Sequence, residues 1–149
     1  MNPLTINPIL TLAVAAWALA QIIKGVVIFV TEQKLDWERI LGSGGMPSSH
    51  SAFVCACAAA ICRLYGPSSG LFAVAAVVAV VVMYDASNVR RAAGKQAKVL
   101  NYMMKHWADI KPEFFAENLK ELLGHTPLQV FFGAILGIAV GAAGMELFQ

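Results

Sequence analysis

The chain has 149 residues, of which 58% are apolar and only 13% are charged, and its formal net charge is +2. A soluble domain typically carries about 25% charged residues. This composition excludes an ordinary water-soluble domain and predicts a membrane protein, and the length allows one domain over residues 1–149.

The first predicted span runs from Leu4 to Val30 and is long enough to cross a hydrocarbon layer of about 30 Å. No basic segment precedes it, so we expect it to be retained rather than cleaved as a signal. Lys24 interrupts the span. A lone ammonium there is unfavourable unless it snorkels to the surface or meets a partner, which makes Lys24 a candidate functional residue.

Two short spans are predicted next. A mixed-charge loop from Glu32 to Gly45 leads into a helix start at Pro47, Ser48 and Ser49, and the second span covers Ser51 to Leu64. A third span, Leu71 to Tyr84, follows a Gly/Pro/Ser turn. About fourteen residues reach only about 21 Å, so we expect these helices to extend further or to thin the bilayer locally.

The three cysteines, Cys55, Cys57 and Cys62, lie together in the second span. Their odd number does not predict a disulfide framework, and we interpret them as small buried hydrophobic residues. Cys55 and Cys57 form a CxC pair, which is an alternative soft-metal site, but no further ligand follows at a suitable spacing. We therefore expect no metal site.

Asp85 to Asn101 is predicted to continue the third span as a polar helix, with Asn88, Arg91, Lys95 and Lys98 on one face. A second amphipathic helix, Pro112 to Gly124, is expected to lie along the membrane surface.

The last predicted span, Pro127 to Phe148, carries Gly133, Gly137 and Gly141 at helical spacing. Such a stripe lets another helix approach closely, either within the chain or in a homo-oligomer. The predicted fold is therefore an all-α polytopic membrane bundle of about four spans plus an amphipathic helix on the cytoplasmic side.

Four spans place the loops at 32–47 and 85–125 on one side of the membrane. Ten of the eleven Lys and Arg residues lie in these two loops or in the helix that leads to them, and Arg63 is the exception. The positive-inside rule places both loops in the cytoplasm and the termini outside. A bacterial inner membrane or an organellar membrane is the expected location, with membrane lipids as neighbours and no nucleic-acid partner.

The segment GGMPSSH, residues 44–50, places glycines, hydroxyls and His50 at the start of the second span. Free backbone N–H groups at a helix N-terminus favour an anion such as phosphate. The structural alternative is an ordinary capped helix with an incidental histidine.

GGMPSSHSA resembles the PSGH motif of the type-two phosphatidic acid phosphatase superfamily, which includes vanadium haloperoxidases. It is more similar still to a divergent branch described as acid phosphatase/vanadium-dependent haloperoxidase-related proteins. Further agreement with that branch extends over essentially the whole chain, at Lys24, Tyr84–Ala86, Val89–Gln96 and Leu123–Pro127.

The resemblance implies a phosphohistidine mechanism. His125 would attack phosphorus, while His50 would protonate the leaving oxygen and later activate water. Ser48 and the Ser49 backbone would hold phosphate oxygens. The candidate cations that would neutralise those oxygens are Lys24, Arg39, Arg90, Arg91 and Lys95. No metal or other cofactor is implied.

Some of these cations have structural alternatives. Arg90, Arg91 and Lys95 also fit the cytoplasmic edge of the third span, and Arg39 also fits an ion pair with Asp36 or Glu38.

Gln129 is the main departure from the superfamily, which has a carboxylate at this position. A glutamine oxygen accepts a hydrogen bond from an imidazole but does not offset its positive charge. Gln129 also fits a capping box with Thr126, and Glu121 or Asp85 are alternative carboxylates. In addition, Arg39 lies further from Lys24 than the superfamily motif requires.

The sequence therefore predicts an integral membrane phosphatase that acts on a lipid phosphate or a prenyl (di)phosphate. The alternative is a weakly active or inactive membrane protein that binds phosphate headgroups or serves in assembly. Vanadium-dependent halide oxidation is a third possibility, but no halide pocket is specified.

Overall fold

A computed structural model describes residues 7–33, 45–107 and 124–148, without the side chains of residues 32, 90, 91, 106 and 107. Within these ranges all regular structure is helical, which confirms the all-α prediction. The predictions for Arg39, for Glu121 and for the surface helix before Gly124 lie outside the described residues.

The described ranges contain five α-helices and two short helical turns. The helices are α1 (Pro8–Glu32), α2 (Ser49–Tyr65), α3 (Gly70–Tyr84), α4 (Arg90–Trp107) and α5 (Pro127–Gly144). A π-helical turn, Asp85–Val89, joins α3 to α4, and a 3₁₀ turn, Met145–Leu147, follows α5.

Side-chain oxygens cap the starts of the apolar helices. The Asn7 side chain accepts a hydrogen bond from the Leu10 N–H, and Ser69 accepts one from the Phe72 N–H. Ser48 caps α2 in the same way. Each oxygen satisfies one of the first-turn N–H groups that have no acceptor within the helix.

In the part of the chain that the structure describes, three helices are long and apolar enough to cross a membrane: α1, α3 with its continuation into α4, and α5. The continuation confirms the prediction that the third span extends as a polar helix. The apolar α2 has 17 residues and reaches about 26 Å, so it stays shorter than the others. The chain is a helical membrane bundle.

The core of the bundle consists of small residues around α2, which packs against α1, α3 and α5. One buried cluster joins Ala16 and Ala20 of α1 to Ala52 and Ala56 of α2. Small side chains let helix backbones approach closely, and close packing is a main source of helix association in a bilayer.

The glycine stripe of α5 lies against α2 of the same chain. Gly133, Gly137 and Gly141 are all buried. A Cβ atom added to any of them would meet a backbone carbonyl oxygen of the α2 segment, namely that of Ser48, Ala52 or Ala56. The stripe thus serves packing within the chain, and homo-oligomerisation through it stays a prediction.

Gly137→Ala is expected to destabilise the bundle, because its Cβ would overlap the Ala52 carbonyl oxygen and push α5 away from α2. Overpacking of this kind costs about 1–3 kcal/mol. Gly70→Ala is the matched control, since no atom lies within 4 Å of the added Cβ. Thermal unfolding in detergent measures both variants, and equal transition temperatures would exclude this packing role.

Candidate functional site

Four elements meet at one end of the bundle: the C-terminal half of α1, the π-helical turn, and the starts of α2 and α5. Two backbone hydrogen bonds join the π-helical turn and the starts of α2 and α5. The Ser48 N–H donates to the Gln129 carbonyl oxygen at 3.0 Å, and the His125 N–H donates to the Ala86 carbonyl oxygen at 2.9 Å. Two helix N-termini therefore lie at the same place, and their partial positive charges favour an anion there.

The structure brings the two predicted site histidines together. The ring centroids of His50 and His125 are 5.9 Å apart, with an angle of 66° between the ring planes. His50 lies in the first turn of α2, and His125 immediately precedes the cap of α5. At this separation one phosphate-sized group is within reach of both imidazoles.

Gln129 fills both roles that the sequence left as alternatives. Its side-chain oxygen accepts the Thr126 N–H at 3.0 Å, and the same oxygen lies 3.3 Å from Nδ1 of His125. An amide oxygen has two acceptor positions, so one oxygen serves both donors. Because that oxygen only accepts, Nδ1 of His125 carries the proton and Nε2 carries the lone pair.

The surroundings of His125 keep its ring neutral. Its side chain is 1% exposed, and Nε2 makes no hydrogen bond to any described residue. Burial lowers the pKa of His125 to about 4, and the charges of His50 and Lys24 lower it further. Hydrogen bonding to the Gln129 side chain and to the backbone of Gly45 acts in the opposite direction. A neutral imidazole with an available lone pair at neutral pH is a competent nucleophile.

Lys24 is completely buried, at 0% exposure, so its side chain does not snorkel. Its alkyl stem lies against Gly45, where a Cβ would stand 3.0 Å from Cγ and Cδ of the lysine. The charge of Lys24 lowers the pKa of His125, so the two side chains interact electrostatically. A buried ammonium is favourable where an anion binds beside it.

Ser48 and Ser49 are also buried. The Ser48 hydroxyl oxygen accepts hydrogen bonds from the Ser51 N–H at 3.3 Å and from the Ser51 hydroxyl at 3.1 Å. A hydroxyl has two acceptor positions and one hydrogen, so the Ser48 hydrogen remains available to a phosphate oxygen.

Of the other predicted cations, only Lys95 has a described side chain. Lys95 has an exposed side chain on α4, in contrast to the buried Lys24. Arg90 and Arg91 begin α4, and only their backbone is described, whereas Arg39 falls in the undescribed loop. Their roles in phosphate binding stay predictions. Within the described ranges, no group of three or more His, Cys, Asp or Glu could hold a metal ion.

Three site residues were missed from the sequence as individual contributors. They are Ala86, Gly45 and Ser51. The Ala86 carbonyl oxygen accepts the His125 N–H, Gly45 lies against the stem of Lys24, and the Ser51 hydroxyl donates to the Ser48 hydroxyl. Of these three, only Ser51 could have been predicted from the sequence, because a serine one helical turn after a capping serine lies on the same helix face.

Gly45→Ala is expected to weaken the binding of inorganic phosphate roughly tenfold, about 1.4 kcal/mol. Gly45 has φ of +95°, and the added Cβ would press on the stem of Lys24. Gly66→Ala is the matched control, because Gly66 has φ of +83° and open space around the added Cβ. Calorimetry with inorganic phosphate compares the two, and equal losses of affinity would rule out a specific role for the Gly45–Lys24 contact.

Comparison with known proteins gives two matches. A family model described as "Divergent PAP2 family" matches residues 5–140. The chain is also 43% identical over 148 residues to a protein of Bacillus subtilis (strain 168) described as the uncharacterized membrane protein YuiD, with 93% of each chain covered. No solved structure matches the chain.

Proposed function

This chain belongs to the divergent PAP2 family of membrane proteins, and we propose that it is a phosphatase acting on an amphiphilic phosphoester through a phosphohistidine on His125. One observation carries the proposal. The buried His125 ring presents an Nε2 that bonds to none of the described residues, in a site shared with His50, 5.9 Å away between ring centroids, and with the buried Lys24.

In the first step, Nε2 of His125 attacks phosphorus as the bond from phosphorus to the ester oxygen breaks. A protonated His50 gives its proton to that leaving oxygen, so the alcohol departs neutral. Gln129 keeps the proton of His125 on Nδ1, which directs the Nε2 lone pair at phosphorus.

In the second step, neutral His50 takes a proton from water, and the resulting oxygen attacks phosphorus. The bond from phosphorus to Nε2 then breaks, inorganic phosphate is released, and both histidines return to their starting states. Phosphoryl transfer spreads negative charge over the equatorial oxygens. Lys24, the Ser48 hydroxyl and the two helix N-termini are arranged to stabilise that charge.

The substrate class follows from the position of the site. His50 and His125 lie at the N-terminal ends of two helices of a membrane bundle, and a site at helix ends suits a substrate whose headgroup stays at the membrane surface. We infer a lipid phosphate or a prenyl (di)phosphate as substrate. The distribution of Lys and Arg supports a site on the cytoplasmic side of a bacterial inner membrane or an organellar membrane.

The test is phosphate release by the purified protein in detergent, with a long-chain alkyl phosphate as substrate and EDTA present throughout. We expect release that is inhibited by orthovanadate, because vanadate adopts the five-coordinate geometry of the transition state. No release above that of a sample inactivated by heat would exclude catalysis.

One observation favours a second candidate, a protein that binds phosphate headgroups without hydrolysis. Gln129 provides no negative charge to offset the cationic phosphohistidine. This candidate predicts phosphate binding without turnover, so the assay above separates it from the first.

A further inference from the structure

The apolar groove beside His50 is built from three helices. Val14 and Trp17 of α1, Phe53 and Val54 of α2, and Val82 of α3 line it together with His50. The cavity has a volume of about 430 Å³, which lies within the range of about 300–1,000 Å³ typical of small-molecule sites.

We propose that this groove binds the hydrocarbon chain of the phosphoester, a proposal that rests on the proposed function. The bound chain starts at His50 and runs along α1 toward the bilayer interior. The groove thereby selects substrates with a long apolar chain.

The position of His50 connects the groove to the chemistry. His50 is the polar side chain in the lining, and in the proposed mechanism it protonates the leaving oxygen. The organic group attached to that oxygen therefore begins beside His50, where the groove also begins. His125 and Lys24, which face the phosphate, are not part of the lining.

The direction and depth of the groove also suit a hydrocarbon chain. Trp17 and Val14 precede the site residue Lys24 on α1 by seven and ten residues. At 1.5 Å per residue, they lie about 10 Å and about 15 Å from Lys24 along the helix axis, within the apolar segment of α1 that is long enough to cross a membrane. Trp17 is 44% exposed, so the groove opens to the surrounding lipid, from which a chain enters without crossing water.

A blocking variant tests this proposal through chain-length selectivity. Val54→Trp fills the groove, and Val77→Trp on the outer face of α3, where Val77 is 63% exposed, is the matched control. We expect Val54→Trp to lower kcat/KM for a long-chain alkyl phosphate by roughly tenfold or more, and to leave kcat/KM for a short-chain phosphate nearly unchanged. Equal losses for both substrates, or the same loss in Val77→Trp, would overturn the proposal.

A binding measurement keeps this proposal separate from the proposed function. The chain has three tryptophans, and the variant Trp37→Phe/Trp107→Phe leaves Trp17 as the only tryptophan, which is excited selectively over the tyrosines. We expect a brominated long-chain alkyl phosphate to quench Trp17, and excess orthovanadate to reverse the quenching. A neutral lipid with the same brominated chain should quench less.

The outcomes of the two experiments differ. Quenching by the alkyl phosphate without phosphate release would support the groove and exclude catalysis. Equal quenching by the neutral lipid, unaffected by vanadate, would show an ordinary lipid-facing surface and overturn the groove even if phosphate is released.

Discussion

His125→Ala is expected to abolish phosphate release, with a fall in kcat on the order of 10³-fold or more. The variant removes Nε2 of His125, the only protein atom that bonds to phosphorus in the proposed mechanism. His50 and Lys24 remain, so the affinity for substrate should fall much less than kcat. Rapid base quench with labelled substrate measures both turnover and the phosphoenzyme, because phosphohistidine survives in base and hydrolyses in acid.

His106→Ala is the control for this prediction, because His106 lies on α4 and has no role in the proposed mechanism. It should retain both turnover and the labelled intermediate. His125→Gln adds a variant of similar size that limits the cavity left in the buried site. Turnover near the natural level in either His125 variant would exclude His125 as the nucleophile.

Gln129→Glu is expected to raise the pKa of His125 from about 4, because a carboxylate at the same position stabilises the imidazolium. The capping bond to the Thr126 N–H survives, since a carboxylate oxygen also accepts. The added charge offsets the cationic phosphohistidine, so kcat should rise. Nuclear magnetic resonance titration of His125 and steady-state kinetics measure the two effects.

Gln129→Leu should have the opposite effect on kcat, with a loss on the order of 10²-fold or more. It removes the acceptor that fixes the proton on Nδ1 of His125 and leaves the Thr126 N–H without its cap. Gln96→Glu, on the exposed face of α4, adds the same charge elsewhere and should leave kcat nearly unchanged. If Gln129→Glu produces activity that the natural protein lacks, the headgroup-binding function is favoured instead.

The pH dependence of stability follows from the same pKa. His125 has a folded-state pKa of about 4, below the ordinary value of 6.5, so the unfolded chain binds the proton more readily between these values. The stability contributed by neutral His125 is therefore present above pH 6.5 and is lost as the pH falls toward 4. In Gln129→Glu this loss should be smaller.

Much of the fold could be predicted because local patterns decide it. The apolar runs set the spans, Ser48 and Thr126 cap the helices they precede, and the third span continues through Asp85 without a helix-breaking residue. Lys24 was recognised for a simple physical reason, since an ammonium inside an apolar span needs a special environment. Its complete burial is consistent with that reasoning.

The remaining features depend on contacts between distant segments. The packing of the glycine stripe on α2 could not be predicted, because the sequence does not show which carbonyl oxygens face Gly133, Gly137 and Gly141. The anchoring of His125 on Ala86 depends on a π-helical turn that no residue pattern specifies. The sequence offered two roles for Gln129, and only the geometry showed that one side-chain oxygen fills both.

A structure of the protein with bound orthovanadate would test the central claim most directly. We expect vanadium to lie within bonding distance of Nε2 of His125, with His50 at the opposite apical oxygen and with Lys24 and Ser48 at the equatorial oxygens. Vanadate bound away from His125, or a His125 ring turned away from the bound ion, would contradict the phosphohistidine mechanism.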